Sequence, residues 1–197
     1  ATYPSALGQE ATEIGVVTNI DPEHLDYFGS VDNMHRAYET FLRNIPFYGL
    51  AVACTDHPVV REMIERLALK RDGRRLLTYG TRHDADLVLR GARVEGGHTI
   101  IDADLSANVK GGARALRGWS LPMPGNHNAL NALAAIAVAT EADLPEEVIR
   151  QGLMAFSGVK RRFQLTGTWQ GIQIYDDYAH HPAEISAVLD AARAGAK

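Results

Sequence analysis

Ile14-Gly15-Val16-Val17-Thr18-Asn19-Ile20-Asp21-Pro22-Glu23-His24-Leu25-Asp26-Tyr27-Phe28-Gly29 opens as a strand and closes as a polar turn. Its first five residues are apolar and rich in β-branched side chains, which is how a buried parallel strand reads. Asn19-Ile20-Asp21-Pro22 breaks the run. Asp21 suits a helix N-cap and Pro22 the first helical position, with Glu23 and His24 in the first turn. In open α/β sheets, ligands bind at the carboxyl end of such strands. A neutral imidazole at His24, beside Asp21, Glu23 and Asp26, suits a divalent cation or a phosphate-bound water. On spacing alone the same residues also read as a solvated turn carrying a surface histidine.

Working outward, Ser30 is placed to cap a helix to about residue 44, with Val31, Met34, Tyr38, Phe41, Leu42 and Ile45 on one stripe and Pro46 as its stop. A strand over Leu50–Cys54 follows, then a helix from Pro58 with Val59, Val60, Met63, Ile64 and Leu67 along one side. Lys70 and Arg71 complement its dipole and Asp72-Gly73 is its expected stop. A third strand spans residues 75–79. Strands alternating with helices predict an α/β fold with a mostly parallel, doubly wound sheet. Residues 86–94, 98–105 and 115–121 then alternate as half-exposed strands, with a hairpin signal at Glu95-Gly96-Gly97. They predict a small antiparallel subsheet attached to the main one. Two helices follow: an Ala-rich one from Gly125 to about Ala142, packed on nearly all sides, and one from Pro145 to about Phe156. Ser157-Gly158-Val159 reads as a hinge. Two strands around Gln170-Gly171, and a helix from Pro182 with Ile185, Val188, Leu189 and Ala192 inward, then begin an incomplete second α/β domain. The division expected is 1–157 for the central domain and 158–197 for the hinge and second domain.

Net charge is −4 with a pI near 6.1, which argues against a nucleic-acid-binding protein. The single cysteine, Cys54, excludes an internal disulfide and lies in an apolar strand, so an inert core role fits it. No apolar run is long enough to span a membrane and no signal peptide is visible, so a reducing cytoplasm is expected. The first residue is Ala1, and the ends read as cuts within a longer chain. No G-x-x-x-x-G-K-[ST] phosphate loop occurs in the sequence.

Three further stretches carry chemistry. Asn128 and Asn131, three apart on one helix face, either cap and pack or offer amides, whose paired donor and acceptor match the edge of an adenine. Lys160-Arg161-Arg162 is either a solvated linker or a guanidinium grip on phosphate oxygens. Asp176-Asp177-Tyr178-Ala179-His180-His181-Pro182, between a strand and a helix, is compatible with a metal site or a capping turn.

NIDPEHLDYFG, Pro124-Gly125-Asn126-His127-Asn128-Ala129-Leu130-Asn131, Gly158-Val159-Lys160-Arg161-Arg162-Phe163 and the Asp176–Pro182 run, in this order, resemble the Mur ligases. The resemblance runs from Ile14 to the end. Within that family the motifs fit the branch joining L-alanine to UDP-N-acetylmuramate through an acyl phosphate, with ATP and Mg2+. The murein-tripeptide recycling branch is the near alternative, and a non-catalytic nucleotide-binding module the alternative of another class. The resemblance implies His24 as a metal ligand. It places His127, Asn128 and Asn131 at the adenine and ribose, and Arg162 and Asp177 as catalytic and nucleotide-binding residues. Tyr178 and His180 would face the amino acid. It also implies regions that this sequence lacks: the phosphate loop, the UDP-sugar domain and most of the C-terminal domain. The isolated chain is therefore expected to be inactive. The family's acidic metal motif ahead of the first strand has no match here; Glu10 and Glu13 stand in a different context.

Overall fold

β-Branched and apolar residues at 14–17 form β1 (Ile14–Val17) in the computed structural model, which describes residues 12–70, 73–156 and 158–195. β1 is one edge of a six-stranded sheet with order β1-β2-β3-β4-β5-β6, completed by β2 (Leu50–Cys54), β3 (Arg75–Gly80), β4 (Leu87–Glu95), β5 (His98–Leu105) and β6 (Arg114–Leu121). The first three strands are parallel, in register from Ile14↔Leu50 to Val17↔Ala53 and from Leu50↔Arg75 to Cys54↔Tyr79. β4 joins β3 in parallel only at Tyr79↔Leu87 and Gly80↔Val88, then runs antiparallel to β5, and β5 to β6. The expected antiparallel subsheet thus exists, and β4 makes it continuous with the parallel part.

Two cores flank the sheet. On one face, α1 (Leu25–Phe28), α2 (Val31–Asn44) and α3 (Pro58–Leu67) precede or follow the first strands. There Met34, Leu42, Val60, Met63 and Leu67 pack on Val17, Ala51 and Ala53. On the other, α4 (Asn126–Glu141) and α5 (Glu146–Met154) cover Val52, Leu77, Tyr79, Leu89 and Ile101. Cys54 is buried in this second core, where burial pushes its thiol up. Among the described residues no helix is long and apolar enough to cross a membrane.

Local chemistry sets the helix ends. The Ser30 hydroxyl accepts the Asn33 N–H at 3.2 Å, as an N-cap should. α2 stops at Asn44 because Ile45, ahead of Pro46, is extended. Arg74 then donates to the freed carbonyls of Arg43 and Ile45. α3 ends at Leu67, earlier than the expected Asp72-Gly73 stop. Ala68 turns left-handed at φ 50°, and the buried Leu69 leaves the helix to join the core. Arg71 and Asp72 lie outside the described residues, as do Glu10 and Ser157.

The switch from parallel to antiparallel pairing is pinned by Asp86. Its carboxylate accepts from the Thr78 N–H (2.9 Å) and hydroxyl (3.0 Å), the Ser106 hydroxyl (3.1 Å) and the Asn108 amide (2.8 Å), with Lys70 at 3.7 Å. Burial alone would raise its pKa, but these donors and Lys70 hold it below the usual carboxylate range. A depressed folded pKa means stability that is present above the unfolded carboxylate value and lost as pH falls through the folded one. Asp86→Asn is expected to cost about 1–3 kcal/mol at neutral pH, by turning a donor toward donors. It should also flatten the loss of stability below about pH 4. Thermal melts of both proteins from pH 7 to pH 3 check this; parallel curves would show that Asp86 carries no such linkage.

The second unit is a two-stranded antiparallel sheet, β7 (Gln164–Trp169) and β8 (Ile172–Asp176), with α6 (Pro182–Gly195). The inward face of α6 differs from the expected one: Ile185 and Leu189 are exposed, Val188 and Ala192 are half-buried, and Ala191 is buried. α6 turns its small residues toward the α4 N-terminus, where the Ala191 methyl lies 3.3 Å from where a Gly125 Cβ would stand. A larger side chain would hold the units apart.

Candidate functional site

A cavity of about 670 Å³ lies where the end of β1, α4, the end of α5 and the second unit meet. Thr18, Asn19 and Asp21 come from the carboxyl end of β1, and His127, Asn128 and Asn131 from the first turns of α4. Leu153 and Phe156 come from the end of α5, and Arg162, Phe163, Asp177 and Glu184 from the second unit. The volume falls within the usual range for small-molecule sites, and apolar walls with a few convergent polar groups suit such a ligand.

α4 explains one wall. Its expected all-round packing holds for Ala129, Ala132, Leu133, Ile136 and Ala137, which are buried, whereas Asn131 and Ala135 are exposed on the cavity side. Asn128 is buried and donates from Nδ2 to the Pro124 carbonyl at 2.8 Å. That bond fixes the side chain and commits one amide hydrogen, leaving Oδ1 as an acceptor. Gly125 precedes the helix at φ 113°, and a Cβ there would stand 2.8 Å from His127 Cε1. Glycine is what lets the ring fold back over the helix start. Burial, with a smaller contribution from Arg162, lowers the His127 pKa against the opposing Asp177 carboxylate. The ring is therefore neutral at pH 7 and offers one donor and one acceptor.

The second unit supplies the charged wall. Both Asp177 oxygens accept backbone N–H groups, from Phe163 at 2.7 Å and Ala179 at 2.7 Å, so this carboxylate ties the hinge segment to the end of β8. Arg162 Nη1 lies 3.3 Å from Glu184 Oε1. Burial would raise the Glu184 pKa, but the His180 N–H and Arg162 outweigh it and hold it below the usual range. Glu184, not singled out from the sequence, thus aims the guanidinium. Phe163 stacks on Tyr175 with centroids 4.4 Å apart, and Arg161 lies over Tyr178 at 5.7 Å and pairs with Asp176 at 3.6 Å. Tyr178 and His180 are exposed and lie outside the cavity lining, edge-to-face with each other at 5.3 Å.

The loop after β1 departs from the expected cap. Asp21 does not start a helix. α1 begins at Leu25, with His24 as its N-cap residue in a left-handed conformation (φ 54°, ψ 35°). Asp21 is drawn away because its Oδ1 lies 3.2 Å from His57 Nε2 across the sheet edge, and Glu23 Oε1 lies 3.7 Å from His181 Nδ1 of the second unit. His24 itself is exposed and is not part of the cavity lining. Among the described residues no three potential metal-ligating side chains gather at one point. Asp21 is the carboxylate on the β1 wall of the cavity, and a carboxylate oxygen is the kind of donor a hard divalent cation takes.

Residues 5–139 match the Mur ligase middle domain, and residues 161–197 the Mur ligase, glutamate ligase domain. The chain is 53% identical over 181 residues to the UDP-N-acetylmuramate–L-alanine ligase of Chelativorans sp. (strain BNC1), covering 92% of this chain and 38% of that protein. Identity to the enzyme of the same name from Parvibaculum lavamentivorans is 51%, covering 93% of this chain and 37% of the relative. The solved UDP-N-acetylmuramate-alanine ligase of Thermotoga maritima superposes with a TM-score of 0.72 at 25% identity, over 94% of this chain and 39% of that one. The chain thus spans less than two-fifths of the relatives' length. With the middle-domain match spanning the six-stranded sheet and the α4 wall of the cavity, and about half of the aligned residues shared with the Chelativorans and Parvibaculum enzymes, the chain belongs to the Mur ligase family.

Proposed function

We propose that the chain is the nucleotide-binding part of an ATP-dependent ligase that joins L-alanine to UDP-N-acetylmuramate in peptidoglycan precursor synthesis. Residues 1–157 would be the central domain without its phosphate loop, and 158–197 the hinge and the start of the C-terminal domain. The reading is supported above all by the single cavity that collects the α4 asparagines with Arg162 and Asp177 from the second unit. The names of the relatives at about half identity supply the substrates.

In this reading ATP phosphorylates the lactyl carboxylate of the UDP-sugar, and the L-alanine amine then displaces phosphate to give the amide. Asn131 and the free Oδ1 of Asn128 meet the adenine, and neutral His127 lies beside the ribose. Arg162 faces the phosphates, where a planar guanidinium neutralises charge as it moves. Asp177 keeps Arg162's segment fixed to β8, so that closing the second unit on the first brings the guanidinium with it. Tyr178 and His180, exposed beside the cavity, are placed to receive the amino acid. Magnesium, bound with the nucleotide, supplies neutralisation between carboxylate and triphosphate. His24, assigned to it by the family resemblance although it lies outside the cavity lining, and the cavity-wall Asp21 would be the residues that serve it.

The test is His24→Ala in a full-length ligase carrying this segment. Activity at limiting magnesium should fall at least about tenfold with an unchanged melting temperature. Full activity at limiting magnesium would remove His24 from the metal site. Failure of L-alanine and UDP-N-acetylmuramate together to stimulate phosphate release by the unmutated ligase would defeat the reading itself.

A further inference from the structure

His57 occupies a position where a helix normally takes a capping side chain, and it does not cap. It precedes Pro58, the first residue of α3, with extended backbone (φ −80°, ψ 117°) and no side-chain bond to the helix N–H groups. Ser, Asp or Asn would serve the helix better there. The imidazole instead reaches over to the neighbouring strand's loop, where Nε2 meets Asp21 Oδ1 at 3.2 Å. Because β1 and β2 run parallel and in register, the loops leaving their carboxyl ends lie side by side. The bond therefore spans two crossovers, 36 residues apart in sequence. A carboxylate only accepts, so Nε2 carries the proton. That leaves Nδ1, which is buried and has no hydrogen-bond partner among the described residues. A lost cap and an unpaired buried nitrogen both oppose stability, so helix stability does not explain the choice of histidine.

What the arrangement does achieve is to fix Asp21. Asp21, Thr18 and Asn19 form the β1 wall of the cavity. With Oδ1 held by His57, Oδ2 is the oxygen left for a donor inside. We infer that His57 is a positioning residue: it clamps Asp21 so that its second oxygen receives the water shell of a nucleotide-bound divalent cation. This rests on the nucleotide reading of the cavity. Outer partners that orient groups around a metal commonly matter as much as the ligands themselves.

Four forms of the full-length ligase carrying this segment decide it: His57→Ala, His57→Gln, Asp21→Asn, and His57→Ala combined with Asp21→Asn. Glutamine places an N–H donor near the position of Nε2. The readouts are Mn2+ binding to the ATP complex by electron paramagnetic resonance, the KM for Mg·ATP, and the melting temperature without nucleotide. His57→Ala is expected to weaken Mn2+ binding and raise KM by about tenfold. Its melting temperature should stay the same or rise, and His57→Gln should recover most of the loss. Asp21→Asn should match His57→Ala, and the double variant should be no worse than either, as for two residues acting through one contact. Wild-type Mn2+ affinity in His57→Ala, failure of glutamine to rescue, or additive losses would each overturn the inference while leaving the nucleotide reading intact. Absence of ATP binding by the unmutated ligase would overturn both.

Discussion

Given ATP, magnesium, UDP-N-acetylmuramate and L-alanine, the isolated 197-residue chain is expected to release phosphate at least about a thousandfold more slowly than a full-length ligase. Phosphoryl transfer depends on positioning and charge neutralisation more than on covalent chemistry by the protein. A phosphate loop contributes a row of backbone N–H groups and a lysine at the β- and γ-phosphates, and no such motif is written in this sequence. Losing a preorganised set of donors removes several kcal/mol of transition-state stabilisation, and about 4 kcal/mol corresponds to three decades. The second unit compounds the loss. Leu165, Trp169, Ile172 and Ile174 of the β7–β8 pair are all exposed, and a two-stranded sheet is marginal unless something packs on it. Arg162 and Asp177 sit at the base of that pair, so their geometry is only as firm as its support. Nucleotide affinity should be weak for the same reason, resting on the α4 wall. Phosphate release that requires both substrates and approaches the full-length rate would show that the chain holds the γ-phosphate by some other means.

Much of this architecture was written locally. Residues 14–17, 50–54 and 75–80 are short, apolar and β-rich, and Ser30, Pro46 and Pro58 punctuate the helices between them, so neighbouring residues suffice to set their limits. The misreadings arise where a distant partner decides. Asp21-Pro22 satisfies the local rules for a helix start, but His57 offers the carboxylate a tertiary bond, and the helix waits until Leu25. In α6 the 3.6-residue period defines two faces, one with Ile185 and Leu189 and one with Val188 and Ala191. Sequence favours the larger residues, whereas close approach to Gly125 selects the smaller. The cavity was legible in its separate walls, since Asn128, Asn131, Arg162 and Asp177 stand in motifs. Glu184 was not, because its meaning comes from Arg162, 22 residues away. His57 left one trace: a residue that caps poorly, set directly before a helix-starting proline.

Arg162→Ala in a full-length ligase carrying this segment is expected to lower kcat by about 100- to 1000-fold, the usual consequence of removing a group that stabilises developing charge. The competing view is that Arg162 merely pairs with Glu184 at the surface. Their side chains are 49% and 28% exposed, and pairs of that kind contribute about 0–1 kcal/mol to stability. The two views separate cleanly. A surface pair predicts a small shift in melting temperature and an unchanged kcat. A phosphate-facing guanidinium predicts nearly unchanged melting with a loss carried by kcat, because the charge it meets is greatest in the transition state. Arg162→Lys adds discrimination: it keeps the charge but loses the planar fork, so it should recover only part of the rate. Glu184→Gln should fall between Arg162→Lys and the unmutated enzyme, since it releases the guanidinium from its partner without removing it. A wild-type kcat in Arg162→Ala would place Arg162 on the surface, and the charged wall of the cavity would then need another source of positive charge.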